Sequence, residues 1–237
     1  MKNLLALLLI LALSSTVLYA QQFEKMAYQA YLTNNKSLWK QLVSERQKAY
    51  DSNNSKENLY LLCLDQHGLL NATMVDQDED TFDNYYEALK DNLEELIESH
   101  YQEANARALL SSVYGFEMGY SSWKGMFLGG KSSSQIEKAL NMEASSPIVQ
   151  QLYASSKFFT PEMFGGDKNL AVSHFEKSVA LYEQGETSNN WRYLDALAWL
   201  GQAYKKTGQT EKARETFERA LATEPSYGYA RHLLASL

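Results

Sequence analysis

Four histidines, one cysteine and a short acidic run are the side chains of this 237-residue chain that could bind a metal or act as nucleophiles. His67 stands two residues from Asp65, and residues two apart on a helix point to different faces, so they make a poor chelating pair. His100 and Glu103 can share a face, as can Glu94 and Glu98. A carboxylate-bridged site in a helical bundle, however, needs Glu-x-x-His in that order on paired helices, and that order is missing. His174, beside Phe175, reads as a surface or capping residue. The run DQDED, residues 76–80, lacks the glycine and distal glutamate of an EF-hand loop and reads as an acidic helix start. Cys63 lies in LYLLCLDQ, where a buried thiol packing as a small hydrophobe is expected, and a single cysteine allows no intrachain disulfide. HExxH, paired CxxC and GxSxG are absent. No catalytic residue, metal or cofactor is predicted.

The stretch FFTPEMFGGDKN, residues 158–169, is the one loop with the composition of a ligand cradle. Asp167 is placed to accept hydrogen bonds from the free N–H groups of a following helix, Gly165 and Gly166 permit a sharp entry, and Phe164 is expected to pack back as a hydrophobic staple. A capping carboxylate fills the anion site and repels phosphate, and the Lys-Ser/Thr ending of a phosphate-binding loop is missing. The loop therefore reads as a connector between helices.

The elements that position these residues are predicted to be helices. Only 3 Pro and 12 Gly punctuate a chain with 45% hydrophobic and 22% charged residues, which favours long helices joined by short turns. Apolar residues recur at helical spacing, as in Tyr85, Leu89, Leu93 and Leu96. The net charge of -7 speaks against nucleic acid or an anionic bilayer as the main partner. Residues 1–20 read as a secretory signal peptide, with Lys2 as the positive end, Leu4 to Leu13 as the apolar stretch and Ala20 at the cleavage position. The mature chain then begins at Gln21, is exported to the periplasm or beyond, and keeps no stable membrane span.

Near the C-terminus, LDALAWLGQAYKKTGQTEKARETFERALATEP sets out Leu197, Leu200, Gly201, Tyr204, Ala213, Phe217, Ala220 and Pro225. With Leu in place of Trp at the first position, this spacing resembles the 34-residue tetratricopeptide repeat, clearest over residues 194–227. Gly201 lets the second helix approach closely, Ala213 and Ala220 are small where the helices cross, Gly208 ends the first helix and Pro225 stops the second. Ala171, Phe175 and Ser178 repeat the spacing of Ala213, Phe217 and Ala220, and Ile136, Ala139, Leu140 and Pro147 echo the end of an earlier unit. About five helical hairpins and a final shielding helix, YGYARHLLASL, are predicted. They form one domain over residues 21–237, an all-α, right-handed superhelical stack of antiparallel hairpins. Ala171 and Ala213 stand 42 residues apart, and the excess over the family pattern is assigned to TPEMFGGDKN.

The resemblance implies a non-enzymatic scaffold that binds a protein or peptide in the bacterial envelope, through a concave groove lined by the first helix of each pair. Asp195, Trp199, Gln202, Lys205, Tyr153 and Trp123 are the candidate contacts. The family subset that grips a C-terminal carboxylate uses Lys, Asn and Arg where this chain has Asp195, Ala198 and Trp199, so that activity is not expected. FGGD followed by a helix with Ala171 and Phe175 is also similar to exported helical-repeat proteins such as the periplasmic T-component of TRAP-type transporters for organic acids. That likeness implies an alternative, a small-ligand carrier or transport accessory with a pocket near residues 158–167 walled by Phe158, Phe159 and Phe164.

Overall fold

The structure, a computed structural model, describes residues 21–237; the expected signal peptide lies outside them. The described residues are helical throughout, without strands: α1 (21–32), α2 (Lys36–Ser52), α3 (Lys56–Thr73), α4 (Glu79–Glu98), α5 (Glu103–Tyr120), α6 (Gly125–Met142), α7 (Pro147–Phe159), α8 (Lys168–Tyr182), α9 (Trp191–Lys206), α10 (Thr210–Thr223) and α11 (Gly228–Ala235). Consecutive helices pack as hairpins, and the odd-numbered helices α3, α5, α7, α9 and α11 also touch their odd-numbered neighbours. The five hairpins and shielding helix expected from the sequence are all present, in a tetratricopeptide-like solenoid.

Helix starts follow the capping residues. Asn35, Ser55, Asp78, Ser146, Asp167 and Asn190 each accept a hydrogen bond from a backbone N–H in the first turn of the helix they precede. Pro147, which needs no N–H partner, opens α7. At Gly208 the backbone takes φ +77°, and the N–H of Gln209 returns to Tyr204 O at 2.8 Å, closing α9 as the glycine predicts.

In the C-terminal hairpin the motif does what its spacing implies. A Cβ on Gly201 would stand 2.3 Å from the Phe217 ring, so α10 seats its phenylalanine directly on the α9 backbone, with Ala213 and Ala220 fully buried beside it. Gly68 of α3 takes Trp39 of α2 in the same way, its virtual Cβ 2.4 Å from the indole.

Two cores result. One is built from α3 to α7 around Leu59, Leu89, Leu93, Leu109 and Val149. The other unites the two ends of the described chain, with Phe23, Ala27, Trp39 and Leu42 packed with Phe175, Trp191, Leu197 and Phe217. That second core brings α1 against α9 and α11.

One length assignment is corrected. The loop 160–167 precedes Ala171, so it cannot account for the 42-residue spacing to Ala213; the extra residues lie in the connection 183–190 between α8 and α9.

Candidate functional site

The expected groove positions lie on α9, and the chain itself engages them. Tyr31 of α1 donates its hydroxyl to Asp195 Oδ1 at 3.0 Å and lies 2.5 Å from the Tyr227 hydroxyl. Gln151 of α7 donates to Asp195 Oδ2 at 2.7 Å and accepts from Tyr182 at 3.0 Å. Burial of this cluster pushes the Asp195 carboxyl up to about 6, against the opposing pull of Tyr31, Arg192, Trp199 and Gln151. Further contacts seal the junction. Tyr28 donates to Glu224 at 3.1 Å, Arg192 donates to the Leu64 carbonyl at 3.3 Å, and Trp191 packs against both Tyr31 and Trp39, with ring centres 5.2 and 5.5 Å away. Gln202 is bonded to Tyr229 and Lys205 to the Ser236 carbonyl, both of or beyond the final helix.

The expectation of an open groove along α9 is therefore corrected: α1 and α11 cover much of it, and Asp195, Gln202 and Lys205 hold the chain together there. Tyr153 is corrected as well, since it is buried at 6% exposure with its ring 4.5 Å from His174. His174 is in turn no surface residue; half-buried, it hydrogen-bonds Gln150 at 2.6 Å, and loss of hydration lowers its pKa.

An aromatic shelf remains above this junction. Trp199 is half-buried, with Phe159 at 4.9 Å and Phe158 at 5.8 Å between ring centres, and Phe159 is 60% exposed. Trp123 stands in the turn between α5 and α6, 61% exposed, with its ring against Phe127. The structure does not bring it to the shelf.

In the 158–167 connection Asp167 caps α8 as predicted, its Oδ1 accepting from Asn169 and Leu170 at 2.9 Å each. Phe164 does not staple back; it is 72% exposed, because Gly165 at φ +91° turns the chain away before the helix starts. The walled pocket that the alternative reading requires at Phe158, Phe159 and Phe164 is thus absent. Two clefts lie elsewhere. One of about 410 Å³ runs between α8 and α10, where Glu176, Glu183 and Glu215 face Lys212 and Arg219; the other, of about 240 Å³, lies between Tyr28, the 187–189 turn and Glu224.

Candidate chemistry is used up in packing. Cys63 is buried, which raises its thiol pKa, and Asp65 pairs with Arg46 at 2.7 Å while burial holds its carboxyl up to about 6. His67 is buried against Phe116 with Nε2 on Ser112 at 3.0 Å, and desolvation lowers its pKa. Asp78 caps α4 and pairs with Lys36, as an acidic helix start should. Among the described residues no three His, Cys, Asp or Glu side chains converge on a metal position. No described helix is long and apolar enough to cross a membrane.

The helix hairpins, the Gly201–Phe217 seat and the shielding helix define a class, the tetratricopeptide-like helical solenoids. Residues 194–237 match the family model for the tetratricopeptide repeat. A tetratricopeptide-repeat protein of Thermus thermophilus, TTC0263, superposes with a TM-score of 0.61 at 14% identity, over 91% of this chain and 97% of that one. The HusA haemophore of Porphyromonas gingivalis superposes with a TM-score of 0.65 at 18% identity, over 80% and 94% respectively. At these identities the likeness is one of fold. No curated protein matches the chain by sequence.

Proposed function

We propose that this chain is an exported, non-enzymatic tetratricopeptide-type scaffold that binds a protein or peptide partner in the bacterial envelope. The observation that carries the reading is the shelf of Phe158, Phe159 and Trp199. It presents aromatic area beside a groove whose remainder is closed, and aromatic anchors at the edge of a rigid surface are the usual centre of peptide capture. Cys63, Asp65 and Asp78 are committed to packing, ion pairing or capping, and His67 is buried, which supports binding over catalysis.

The test is affinity capture from envelope extract with the chain Gln21 to Leu237, alongside its Phe159→Ser variant. A partner retained by the first and lost by the second, with unchanged helicity, is the expected outcome. Equal retention by both would remove the shelf from the binding surface. Mass spectrometry of the exported chain should find Gln21 at the N-terminus; an intact Met1 would overturn the cleavage.

The carrier or transport-accessory reading has no enclosed pocket at residues 158–167 to rest on. Sharing a fold with a haemophore does not by itself supply one.

A further inference from the structure

Helices alternate in direction along the stack, so α3, α5 and α7 run parallel and their C-terminal turns share one edge. Of the nine large apolar side chains exposed among the described residues, all but Met142 and Tyr229 stand on that edge. The opposite edge carries those two and is otherwise polar in turns such as Asn53-Asn54-Ser55, Ser99-His100 and Glu186-Thr187-Ser188-Asn189. Sequence periodicity cannot show this, because the residues belong to turns far apart in the chain.

We propose that this edge docks on a lipid bilayer with zwitterionic headgroups, inserting Trp123, Met126, Phe127, Met163 and Phe164 into the interfacial layer. The first tip is the α5–α6 turn, where Trp123, Met126 and Phe127 are 61%, 80% and 63% exposed and the Trp123 and Phe127 rings meet edge to face at 6.1 Å. The second is the α7–α8 turn, where Met163 and Phe164 are 83% and 72% exposed.

The second tip is built to hold its side chains outward. Phe164 N–H bonds the Pro161 carbonyl at 2.9 Å, Gly166 N–H bonds the same carbonyl at 3.1 Å, and Asp167 N–H bonds the Lys157 carbonyl at 2.9 Å. Gly166 is required by this closure, since a Cβ there would lie 1.8 Å from the Thr160 carbonyl oxygen.

Size and shape select the partner. The five side chains together expose on the order of 700 Å², about 300–400 Å² at each tip, which is the size of the largest, often functional, apolar patch on a typical monomer. They are divided between two convex tips on neighbouring hairpins. A second copy would need hollows on the same edge to receive them, and the two clefts described above lie elsewhere, lined by α8–α10 and by the Tyr28 region. A fluid interface flows around each tip and needs no hollow.

The charges agree. At the two tips Lys124 pairs with Glu117 and Lys157 with Glu137, and Lys131 and Lys168 are matched in number by Glu162 and Asp167, while the acidic run 76–80 lies on the α3–α4 turn, outside both tips. Trp, Phe and Met flanked by charged residues is the composition of an interfacial segment, and cancellation of charge at the two tips fits neutral headgroups.

The test is co-sedimentation of Gln21 to Leu237 with phosphatidylcholine vesicles, and with vesicles that also contain phosphatidylglycerol. Binding to both, insensitive to salt, is expected, with a blue shift of tryptophan emission that Trp123→Phe removes. Phe127→Ser and Phe164→Ser should each lower the partition coefficient roughly tenfold while leaving helicity and melting unchanged. The proposal is overturned by failure to bind either vesicle, or by binding only to phosphatidylglycerol that salt abolishes. It is also overturned if both serine variants partition like the parent. A dimer, or a complex with a purified protein, that needs both phenylalanines without any vesicle binding would assign the edge to that partner instead.

Discussion

The C-terminal hairpin and the junction of the first two hairpins use the same packing device in different settings. In α9 and α10 the glycine and its aromatic, Gly201 and Phe217, belong to one repeat, and the contact is local. In α2 and α3 the equivalent pair, Gly68 and Trp39, joins consecutive hairpins, and the indole also reaches Trp191 at the start of α9. One contact builds a repeat; the other ties the beginning of the described chain to its end. A motif therefore marks where packing is local, and a fold can rely equally on contacts that leave no motif.

Five substitutions test that contrast. Trp39→Ala should be the most damaging, at about 3–5 kcal/mol by urea unfolding, because the ring is fully buried and shared by three helices. A loss no greater than that of an ordinary surface change would deny the junction its role.

Next is the pH dependence of the junction. Asp195 and Asp65 bind a proton more readily when folded, both being raised from 3.8 to about 6. Their contribution is present in full below the unfolded value and is lost as pH rises through about 6. Stability should accordingly fall between pH 4 and 6, by up to about 3 kcal/mol per group from a shift of about two units. Asp195→Asn should flatten roughly half of that slope; an unchanged slope in denaturation curves at several pH values would place the titration elsewhere.

The two glycines sharpen the comparison further. Alanine at Gly201 or Gly68 overpacks a buried ring at a cost of about 1–3 kcal/mol, offset by about 1 kcal/mol of helix propensity. Thermal melts should show both variants destabilised, with Gly68→Ala also loosening α1, visible as faster hydrogen exchange at Tyr28 and Tyr31. Equal exchange in the two variants would mean that the ends are held independently of Trp39. Smallest of all, Phe159→Ser should move stability by no more than about 0.5 kcal/mol, since its ring is mostly exposed, while reducing partner capture.

The helices and their order were legible because turn chemistry is local. Asp167 followed by a helical run, Gly208 after Lys205-Lys206, and Pro147 after Ser146 each act on neighbouring backbone groups. The candidate site was less legible. Asp195 and Tyr153 looked like groove positions because their place in the repeat pattern says which helix face they occupy, and nothing about what another part of the chain lays over that face. His67 drew notice in DQHGLL for its chemistry, yet Gly68 beside it is the residue the packing depends on. The signal that could have found the junction was weak: Tyr28, Tyr31, Trp39 and Trp191 are more aromatic area than two isolated hairpins need.

By itself the sequence determined a stack of helix hairpins, the close seat at Gly201 and the caps that start and stop each element, all consequences of interactions a few residues or one hairpin apart. Tertiary structure alone decided that the ends of the described chain share a core, that α1 covers the expected groove, and that the exposed aromatics gather along one edge. The physical reason is distance along the chain: Tyr31 and Asp195 are 164 residues apart, and Tyr31 and Tyr227 are 196 apart. Pairings at that range follow from how the whole superhelix curves, which no local spacing encodes.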